Sequence, residues 1–354
     1  MRVVVAMSGG VDSSVAALRL RDAGHHVTGV FLRNGIEAGG VGKGQGCCGA
    51  TDARDAEEVA AALSIPFYAL DHAAPFRRVI DDFVAAWARG ETPNPCVQCN
   101  RELKFGALLE FATRMGAERL ATGHYAAVEA SGGSVVLRRA RDRAKDQSYV
   151  LATVERAALA RALFPLAELE KGEVREAARR AGLPVHAKPE SQEICFVPSG
   201  DYRDLLRERR PDLLRPGTVR ALDGTPLGQH GGAAGFTVGQ RKGLALAGGV
   251  PRFVVRTDPV ANEVVVGSRD DLQSSVARLR APNFLIDREE VELGEELLLQ
   301  VRAHHALIAA TVAECSAERV VLQLAPPGEV LTPGQVAVAY RADRVLFAGT
   351  LERS

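Results

Sequence analysis

The sequence predicts an α/β protein with a doubly wound parallel sheet at its N-terminus, a small β-rich central domain and a C-terminal antiparallel β-barrel. In the first half, short apolar runs typical of buried strands alternate with longer stretches whose apolar residues recur at helical spacing. This alternation is typical of a parallel sheet with helices on both faces, which binds ligands at the carboxyl ends of its strands. After residue 215 the pattern changes to closely spaced β runs separated by turn signals such as Asp223-Gly224 and Pro333-Gly334.

The elements of the first half follow in chain order. Strands are predicted at residues 3–6, 27–32, 66–70 and 119–122. Helices are predicted between them at residues 13–23, 51–63, 76–88 and 103–115. A β-hairpin is expected over residues 126–137, followed by helical pattern at 155–163. A last helix is predicted at 173–181, where Gly182 and Pro184 end it.

The length of the chain favours several domains. It has 354 residues, and a single hydrophobic core usually stops growing at about 250–300 residues. We therefore predict a doubly wound domain over residues 1–205, a central β-rich domain over 206–273 and a β-barrel over 274–354.

Composition limits the classes of protein to consider. Lysine and arginine (44) balance aspartate and glutamate (44), and this neutrality argues weakly against nucleic acid as a partner. No apolar run approaches the roughly 20 residues that span a bilayer, so we expect no membrane partner. Met1 leads directly into the first strand, which leaves no room for a cleavable targeting segment. These features predict a cytoplasmic location.

A phosphate-binding turn follows the first strand. Residues 7–14 read MSGGVDSS, in which two adjacent glycines let backbone N–H groups converge and the next helix points its positive end at them. The lysine of a Walker A loop is missing, so the usual machinery for γ-phosphoryl transfer is absent. The segment instead resembles the PP-loop of ATP pyrophosphatases, which release β- and γ-phosphates together. That resemblance implies adenylation chemistry.

Three cysteines are candidates for chemistry. Cys96 and Cys99 follow a proline-rich segment near a helix start, a position that lowers thiol pKa values. C-x-x-C is shared by zinc knuckles, redox pairs and iron–sulfur sites, so its spacing alone leaves these alternatives open. Cys195 lies about a hundred residues further on, and taken alone its apolar neighbours Ile194 and Phe196 favour a core residue. Cys315 is also interpreted as a core residue. A G-x-G-x-x-G pattern at residues 44–49 follows no strand directly, so we interpret it as a loop in which Cys47 and Cys48 are incidental.

Seven ordered motifs make the chain similar to the bacterial tRNA-specific 2-thiouridylases, the MnmA family. They lie at residues 6–13, 92–99, 121–125, 145–149, 194–196, 237–244 and 332–335. The resemblance implies that ATP, with Mg²⁺, adenylates the C2 carbonyl oxygen of the wobble uridine in glutamate, glutamine and lysine tRNAs, which sulfur then replaces. It also implies tRNA as a partner and a sulfur-relay protein or cysteine desulfurase as the sulfur donor.

The resemblance assigns residues to these steps. Cys195 would carry the persulfide that attacks C2, and Cys99 would then attack that persulfide, which implies a disulfide bond. The residues that would hold ATP are Ala6, Met7, Ser8, Gly9, Gly10, Val11, Asp12, Ser13, Leu32 and Gly123. The target base, flipped out of the stack, would contact Asn94, Pro95 and Cys96. Other parts of the tRNA would contact His124, Lys145, Asp146, Gln147, Arg302, Ala303 and Gln335.

The resemblance changes the favoured interpretation of the basic run at residues 138–145. It contains five basic residues and one acid, and a solvated face is the ordinary interpretation of such a run. In a tRNA-binding enzyme, contact with phosphates becomes the favoured interpretation.

One departure from the family concerns the base pocket. Many members have Asp where this chain has Cys96, and that carboxylate is a natural proton acceptor. Three thiolates, from Cys96, Cys99 and Cys195, could instead ligate an iron–sulfur cluster that carries sulfide. We favour the persulfide relay and keep the cluster as its alternative.

Two other classes of function remain as alternatives. One is a PP-loop enzyme that adenylates a small molecule, which would leave the two β modules and the separated cysteines unexplained. The other is an RNA-binding protein without activity, with a structural metal at the C-x-x-C. Pyrophosphate exchange stimulated by tRNA separates all three.

Overall fold

The computed structural model describes residues 1–35, 49–131, 134–190, 194–197, 199–244, 246 and 251–353. The chain divides into two compact units. The first consists of Met1–Ile80, Pro95–Gly200 and Asp343–Val345. The second consists of Asp81–Asn94, Asp201–Ala342 and Leu346–Ser354.

The first unit contains a five-stranded sheet with helices between its strands. Its first half consists of β1 (Arg2–Ala6), α1 (Val11–Asp22), β2 (His26–Arg33), α2 (Ala50–Ala62), β3 (Phe67–Asp71) and α3 (Ala73–Ala88), the last of which runs on into the second unit. Next come α4 (Pro95–Gln98), a π-helical segment (Cys99–Leu108), α5 (Leu109–Arg114), β4 (Arg119–Thr122), β5 (Ala126–Ser131) and β6 (Ser134–Arg139). The rest is α6 (Ser148–Leu151), α7 (Arg156–Leu159), β7 (Ala162–Leu163) and α8 (Lys171–Arg180).

The sheet is parallel and doubly wound, as predicted. Its strand order is β3-β2-β1-β4-β7, so the chain reverses direction across the sheet beside β1. Val3, Val4 and Val5 of β1 are all buried, because helices cover both faces of a parallel sheet. Burying each of these side chains contributes roughly 1.5–3 kcal/mol. The carboxyl end of β1 therefore lies at a topological switch point, where such sheets bind ligands.

Two helical predictions differ from the structure. The helix predicted from residue 103 begins instead at Pro95, since proline is favoured at a first helical position, where no N–H is required. It continues as the π-helical segment Cys99–Leu108, a form often found at functional sites. The helix predicted over residues 155–163 is wrong in its second half, where Ala162 and Leu163 form a strand beside β4. Sheet pairing overrode helical spacing there.

The second unit is β-rich. Its segment from Asp201 starts with α9 (Tyr202–Arg209) and a 3-10 turn (Pro211–Leu214). The first sheet contains β8 (Gly217–Ala221), β9 (Pro226–His230), β10 (Phe253–Asp258) and β11 (Glu263–Gly267). That sheet has the order β10-β11-β8-β9. Further 3-10 turns are Ala233–Gly235, Asp270–Leu272 and Arg288–Glu290. The strand β12 (Gln273–Ser274) leads into the C-terminal part.

The C-terminal part is a six-stranded antiparallel barrel, as predicted. Its strands are β13 (Val276–Phe284), β14 (Glu296–Gln300), β15 (Ile308–Cys315), β16 (Arg319–Leu324), β18 (Val336–Arg341) and β19 (Arg344–Leu351), while β17 (Glu329–Val330) pairs with β12. The order β13-β16-β15-β14-β18-β19 closes where β13 pairs with β19. Cys315 packs against the barrel core, and burial raises the pKa of its thiol. In the part of the chain that the structure describes, no helix has the length and apolarity to cross a membrane.

Candidate functional site

The turn after β1 contains the loop predicted to bind the phosphates of a nucleotide. Gly10 caps α1 without a side-chain hydrogen bond, so the first N–H groups of the helix remain available to a ligand. The Ser8 N–H donates to Oγ of Ser13 at 3.1 Å, and that hydroxyl lies 3.2 Å from the carbonyl of Gly10. These bonds fix the shape of the loop before any ligand arrives.

Two glycines are required by close backbone approach. Gly9 has φ +69°, and a Cβ there would lie 2.2 Å from the carbonyl oxygen of Asp52. A Cβ on Gly123 would lie 2.5 Å from the backbone nitrogen of Ser13, at the start of α1. Gly123 follows β4, the strand beside β1, so the residues predicted to hold ATP from these two strands meet at one edge of the sheet. Leu32 lies near the end of the other neighbouring strand, β2.

Asp12 is the centre of a polar cluster beside this loop. Its carboxylate accepts hydrogen bonds from Nζ of Lys171 at 2.7 and 2.8 Å and from the hydroxyl of Tyr125 at 2.8 Å. Burial and the negative charge of Asp12 raise the pKa of the Tyr125 hydroxyl, which therefore stays protonated and donates.

A second lysine reaches the loop itself. The Nζ atom of Lys188 donates to the carbonyl of Gly9 at 3.0 Å, to the carboxylate of Asp52 at 2.8 Å and to that of Asp55. Burial alone would lower the pKa of Lys188, but its hydrogen bonds to the two carboxylates raise it overall. Lys188 is therefore a charged ammonium group at neutral pH.

Glu190 connects Lys171 with a third lysine, Lys145. Its carboxylate lies 2.6 Å from Nζ of Lys145 and 3.0 Å from Nζ of Lys171, with Arg175 at 3.9 Å. The hydrogen bond from Lys145, followed by the contribution of Lys171, lowers the pKa of Glu190 to about 2 despite partial burial. Glu190 therefore remains a carboxylate throughout the neutral range.

Sequence reasoning missed Lys171 and Lys188. No spacing marks them, because they lie 159 and 179 positions from the loop residues that they contact. One signal was present: a phosphate loop without its own lysine needs a cation from elsewhere, and the whole chain contains only six lysines.

The three cysteines predicted to take part in chemistry lie in two separate segments, and each is at least partly exposed. Cys96 is exposed in α4, whereas Cys99, at the start of the π-helical segment, is partly exposed. Cys195 is also partly exposed, and its neighbour Phe196 packs edge-on against Phe76 with ring centroids 5.8 Å apart. That contact anchors the Cys195 segment in the first unit.

A metal cluster does not fit the cysteines where the structure places them. Among the described residues, no group of three or more His, Cys, Asp or Glu side chains is arranged to hold a metal ion. The set Cys96, Cys99 and Cys195 is therefore not assembled as a ligand group.

His124, predicted to contact tRNA, is enclosed. Its ring packs against both Phe105 and Phe164, which also contact each other. Its Nδ1 lies 2.6 Å from the hydroxyl of Thr122 and its Nε2 lies 3.5 Å from Nζ of Lys104. Burial, reinforced by the charge of Lys104, holds the pKa of His124 well below its usual range. A neutral ring then accepts from Lys104 at Nε2 and donates from Nδ1 to Thr122.

The segment containing Lys145, Asp146 and Gln147 is held by its own side chains. Asp146 accepts from Nε of Arg139 at 3.0 Å and from the hydroxyl of Ser148 at 2.9 Å. Gln147 accepts from the Tyr125 N–H at 3.0 Å. In these positions, the carboxylate and the amide fix the loop that presents Lys145.

The arginines of the basic run differ in their surroundings. Arg138 pairs with Glu129, and Arg141 lies 3.5 Å from both Glu170 and Glu173. Arg139 is mostly buried in its pair with Asp146. Arg143 is exposed, with no ion-pair partner among the residues that the structure covers.

The remaining predicted tRNA residues belong to the second unit. Nε2 of Gln335 donates to the carbonyl of Thr92 at 2.8 Å, which holds the segment leading to Asn94. Arg302 is exposed and Ala303 partly exposed after β14. Cys47 and Cys48 lie outside the described residues.

Comparison with known proteins identifies relatives along the whole chain. Three domain profiles match: the tRNA methyl transferase HUP domain over residues 1–199, the tRNA methyl transferase PRC-barrel domain over 203–268 and the aminomethyltransferase beta-barrel domain over 274–351. The tRNA-specific 2-thiouridylase MnmA of Moorella thermoacetica is 45% identical over 353 residues, with 99% of each chain covered. The protein of the same name from Mycobacterium avium is 47% identical over 362 residues, again with 99% of each covered.

A solved structure shows more distant similarity. A 4-thiouridine synthetase–RNA complex with bound ATP is 18% identical, with a TM-score of 0.38, and the match covers 60% of this chain and 50% of that one. The three domain profiles are named for methyl or aminomethyl transfer, whereas both full-length relatives carry the thiouridylase name.

Proposed function

We propose that this chain, which belongs to the family of tRNA-specific 2-thiouridylases named MnmA, uses ATP to replace the C2 carbonyl oxygen of a tRNA uridine with sulfur. The observation that carries the proposal is similarity to relatives of that name over 99% of the chain. The open phosphate loop and the thiols of Cys99 and Cys195 lie in one compact unit, which supports it further.

The first stage activates a poor leaving group. The uridine O2 attacks the α-phosphorus of ATP, the bond from that phosphorus to the bridging oxygen breaks, and pyrophosphate leaves while the N3 proton departs. The loop from Ala6 to Ser13, with Gly123, would hold the nucleotide through backbone N–H groups and the positive end of α1. C2 then carries an adenylate oxygen, and AMP becomes its leaving group.

The second stage transfers sulfur. The terminal sulfur of a persulfide on Cys195 attacks C2, and AMP leaves with the former O2. The Cys99 thiolate then attacks Sγ of Cys195, which frees the 2-thiouridine and forms a Cys99–Cys195 disulfide. A thiol reductant returns both cysteines to thiols, and a sulfur-relay protein or cysteine desulfurase reloads Cys195.

The tRNA-facing residues are proposed with distinct parts. The target base would be flipped into a pocket at Asn94, Pro95 and Cys96, because chemistry at C2 requires a base out of the stack. Lys145 and Arg302 would contact the tRNA directly, as cations at partly or fully exposed positions. His124, Asp146, Gln147 and Gln335 would act by positioning, since the structure engages their polar groups within the protein.

One pair of measurements tests the proposed function. Exchange of labelled pyrophosphate into ATP, measured with and without tRNA, is expected to depend on tRNA. Nucleosides from a complete reaction, which contains a persulfide donor, are expected to include 2-thiouridine. Exchange that needs no RNA would favour a small-molecule synthetase, and the absence of pyrophosphate chemistry would favour a binding protein.

A further inference from the structure

We propose that Lys171 and Lys188 bind the β- and γ-phosphates of ATP and supply the cations that the phosphate loop lacks. The inference rests on the proposed function, because it takes ATP as the ligand of the loop. It assigns a ligand contact to two residues outside every motif that marked the site in the sequence.

The first argument is position. Lys188 is within hydrogen-bond distance of the carbonyl of Gly9, inside the loop, and Lys171 is within that distance of Asp12, in the first turn of α1. Gly9 and Asp12 belong to the same turn as the N–H groups that would hold a phosphate, so both ammonium groups lie at that turn. Both lysines belong to the same compact unit as the loop.

The second argument is desolvation. The side chain of Lys171 is 13% exposed and that of Lys188 is 26% exposed. Lysine side chains are rarely removed from water to this extent unless they are paired. A cation that is already desolvated and oriented interacts more strongly with developing negative charge than one in water, and it needs little reorganisation. This is the environment expected of groups that stabilise a departing pyrophosphate.

The third argument concerns the carboxylates that hold the two lysines. Lys188 is shared between Asp52 and Asp55, and Lys171 is shared between Asp12 and Glu190. Each ammonium group can turn one N–H towards a phosphate while a carboxylate still keeps it in place. The carboxylates thus act as positioning residues for the lysines.

The charge distribution of the ligand makes the proposal specific. The β- and γ-phosphates carry most of the negative charge of ATP, and AMP has neither group. Lysines that bind these phosphates should therefore contribute to the affinity for ATP and leave the affinity for AMP nearly unchanged. A purely structural role, in which Lys188 fastens α2 to the loop, would affect both ligands alike or neither.

The test measures binding of α,β-methylene-ATP and of AMP by calorimetry to the full chain and its variants. The methylene analogue is chosen because the bond that the enzyme would cut is blocked, so affinity is read without turnover. Lys171→Met and Lys188→Met are each expected to weaken binding of the analogue about 10- to 100-fold, the range for a hydrogen bond to a charged group. Binding of AMP should change less than about twofold.

Two further variants keep the result interpretable. Arg179→Met removes a cation from the exposed face of α8, where Arg179 pairs only with Glu176 among the described residues, and it should bind both ligands like the parent protein. Lys188→Met combined with Asp55→Asn restores charge balance if the single variant folds poorly, and it should show the same selective loss.

The outcomes separate this inference from the function on which it rests. Selective loss of the analogue in both lysine variants supports the assignment. Parental affinity for the analogue in those variants overturns it while leaving the proposed function intact. A parent protein that binds neither ligand overturns the proposed function and the inference with it.

Discussion

The carboxylate of Glu190 lies 2.6 Å from Nζ of Lys145, a lysine predicted to contact tRNA. The other carboxylate oxygen lies 3.0 Å from Nζ of Lys171, which contacts Asp12 of the phosphate loop. One side chain therefore joins a predicted tRNA contact to the predicted nucleotide site. Any movement of Lys145 towards a tRNA phosphate would leave Glu190 paired with Lys171 and Arg175.

Glu190→Gln should lower the free energy of unfolding near neutral pH but not in strong acid. The folded-state pKa of Glu190 is about 2, below its ordinary value of 4.5, so its contribution is fully present above about pH 4.5. That contribution is lost as the pH falls from about 4.5 to about 2. Urea unfolding of the parent and the variant at several pH values measures the difference. A difference that stays constant down to pH 2 would contradict the assigned ion pairs.

Asp12→Ala should abolish adenylate formation and largely spare tRNA affinity. The change removes the acceptor for Lys171 and Tyr125 at the loop, and a misplaced catalytic group can cost about 100-fold in rate. Most tRNA contacts are predicted to be phosphate contacts made elsewhere. Pyrophosphate exchange checks the loss of adenylate formation, and tRNA binding, measured on the same preparation, checks the retained affinity. Pyrophosphate exchange at the parental rate would show that Asp12 is not part of the nucleotide site.

Arg143→Gln should weaken tRNA binding and flatten its salt dependence. Arg143 is the exposed arginine of the basic run, and each lost phosphate contact lowers the slope of log affinity against log salt by about one unit. Thermal stability should stay unchanged, because surface substitutions usually have little effect. Binding is measured at four or more salt concentrations.

Arg139→Gln is the matched comparison. Arg139 is bonded to the nearly buried carboxylate of Asp146, so its loss should cost about 1–3 kcal/mol of stability. If Arg143→Gln leaves the salt slope unchanged, the basic run at residues 138–145 is a solvated face and does not contact tRNA phosphates.

Cys96→Asp distinguishes the two sulfur mechanisms. In the persulfide relay Cys96 only lines the base pocket, so the change restores the residue common in the family and substantial activity with a persulfide donor is expected. In a cluster mechanism it removes one of three thiolate ligands. Activity and iron content are measured on protein prepared without oxygen. An inactive variant that has lost iron bound by the parent would overturn the relay.

Much of the fold could be predicted because its signals are local. Continuous apolar runs such as Val3–Val5 identify buried parallel strands, and the change to short β runs after residue 215 identifies the β-rich half. The strand at Ala162–Leu163 was missed because only its pairing with β4 distinguishes it from a helix end. Helical spacing does not reveal such a pairing.

The site was predicted where a motif is contiguous and missed where it is assembled by folding. The loop at residues 7–14 shows its chemistry in eight consecutive letters. Lys171 and Lys188 reach it from separate segments, and no sequence period records that approach. The burial of His124 against two phenylalanines is likewise visible only in three dimensions.

The central claim is that the uridine C2 oxygen leaves as part of AMP and that sulfur takes its place. The most direct measurement uses tRNA whose target uridine carries oxygen-18 at C2, incubated with the protein, ATP and a sulfur donor, followed by mass spectrometry of AMP and of the nucleosides. The proposed reaction produces equal amounts of AMP labelled with oxygen-18 and of 2-thiouridine. AMP without the label, or 2-thiouridine formed without AMP, would contradict it.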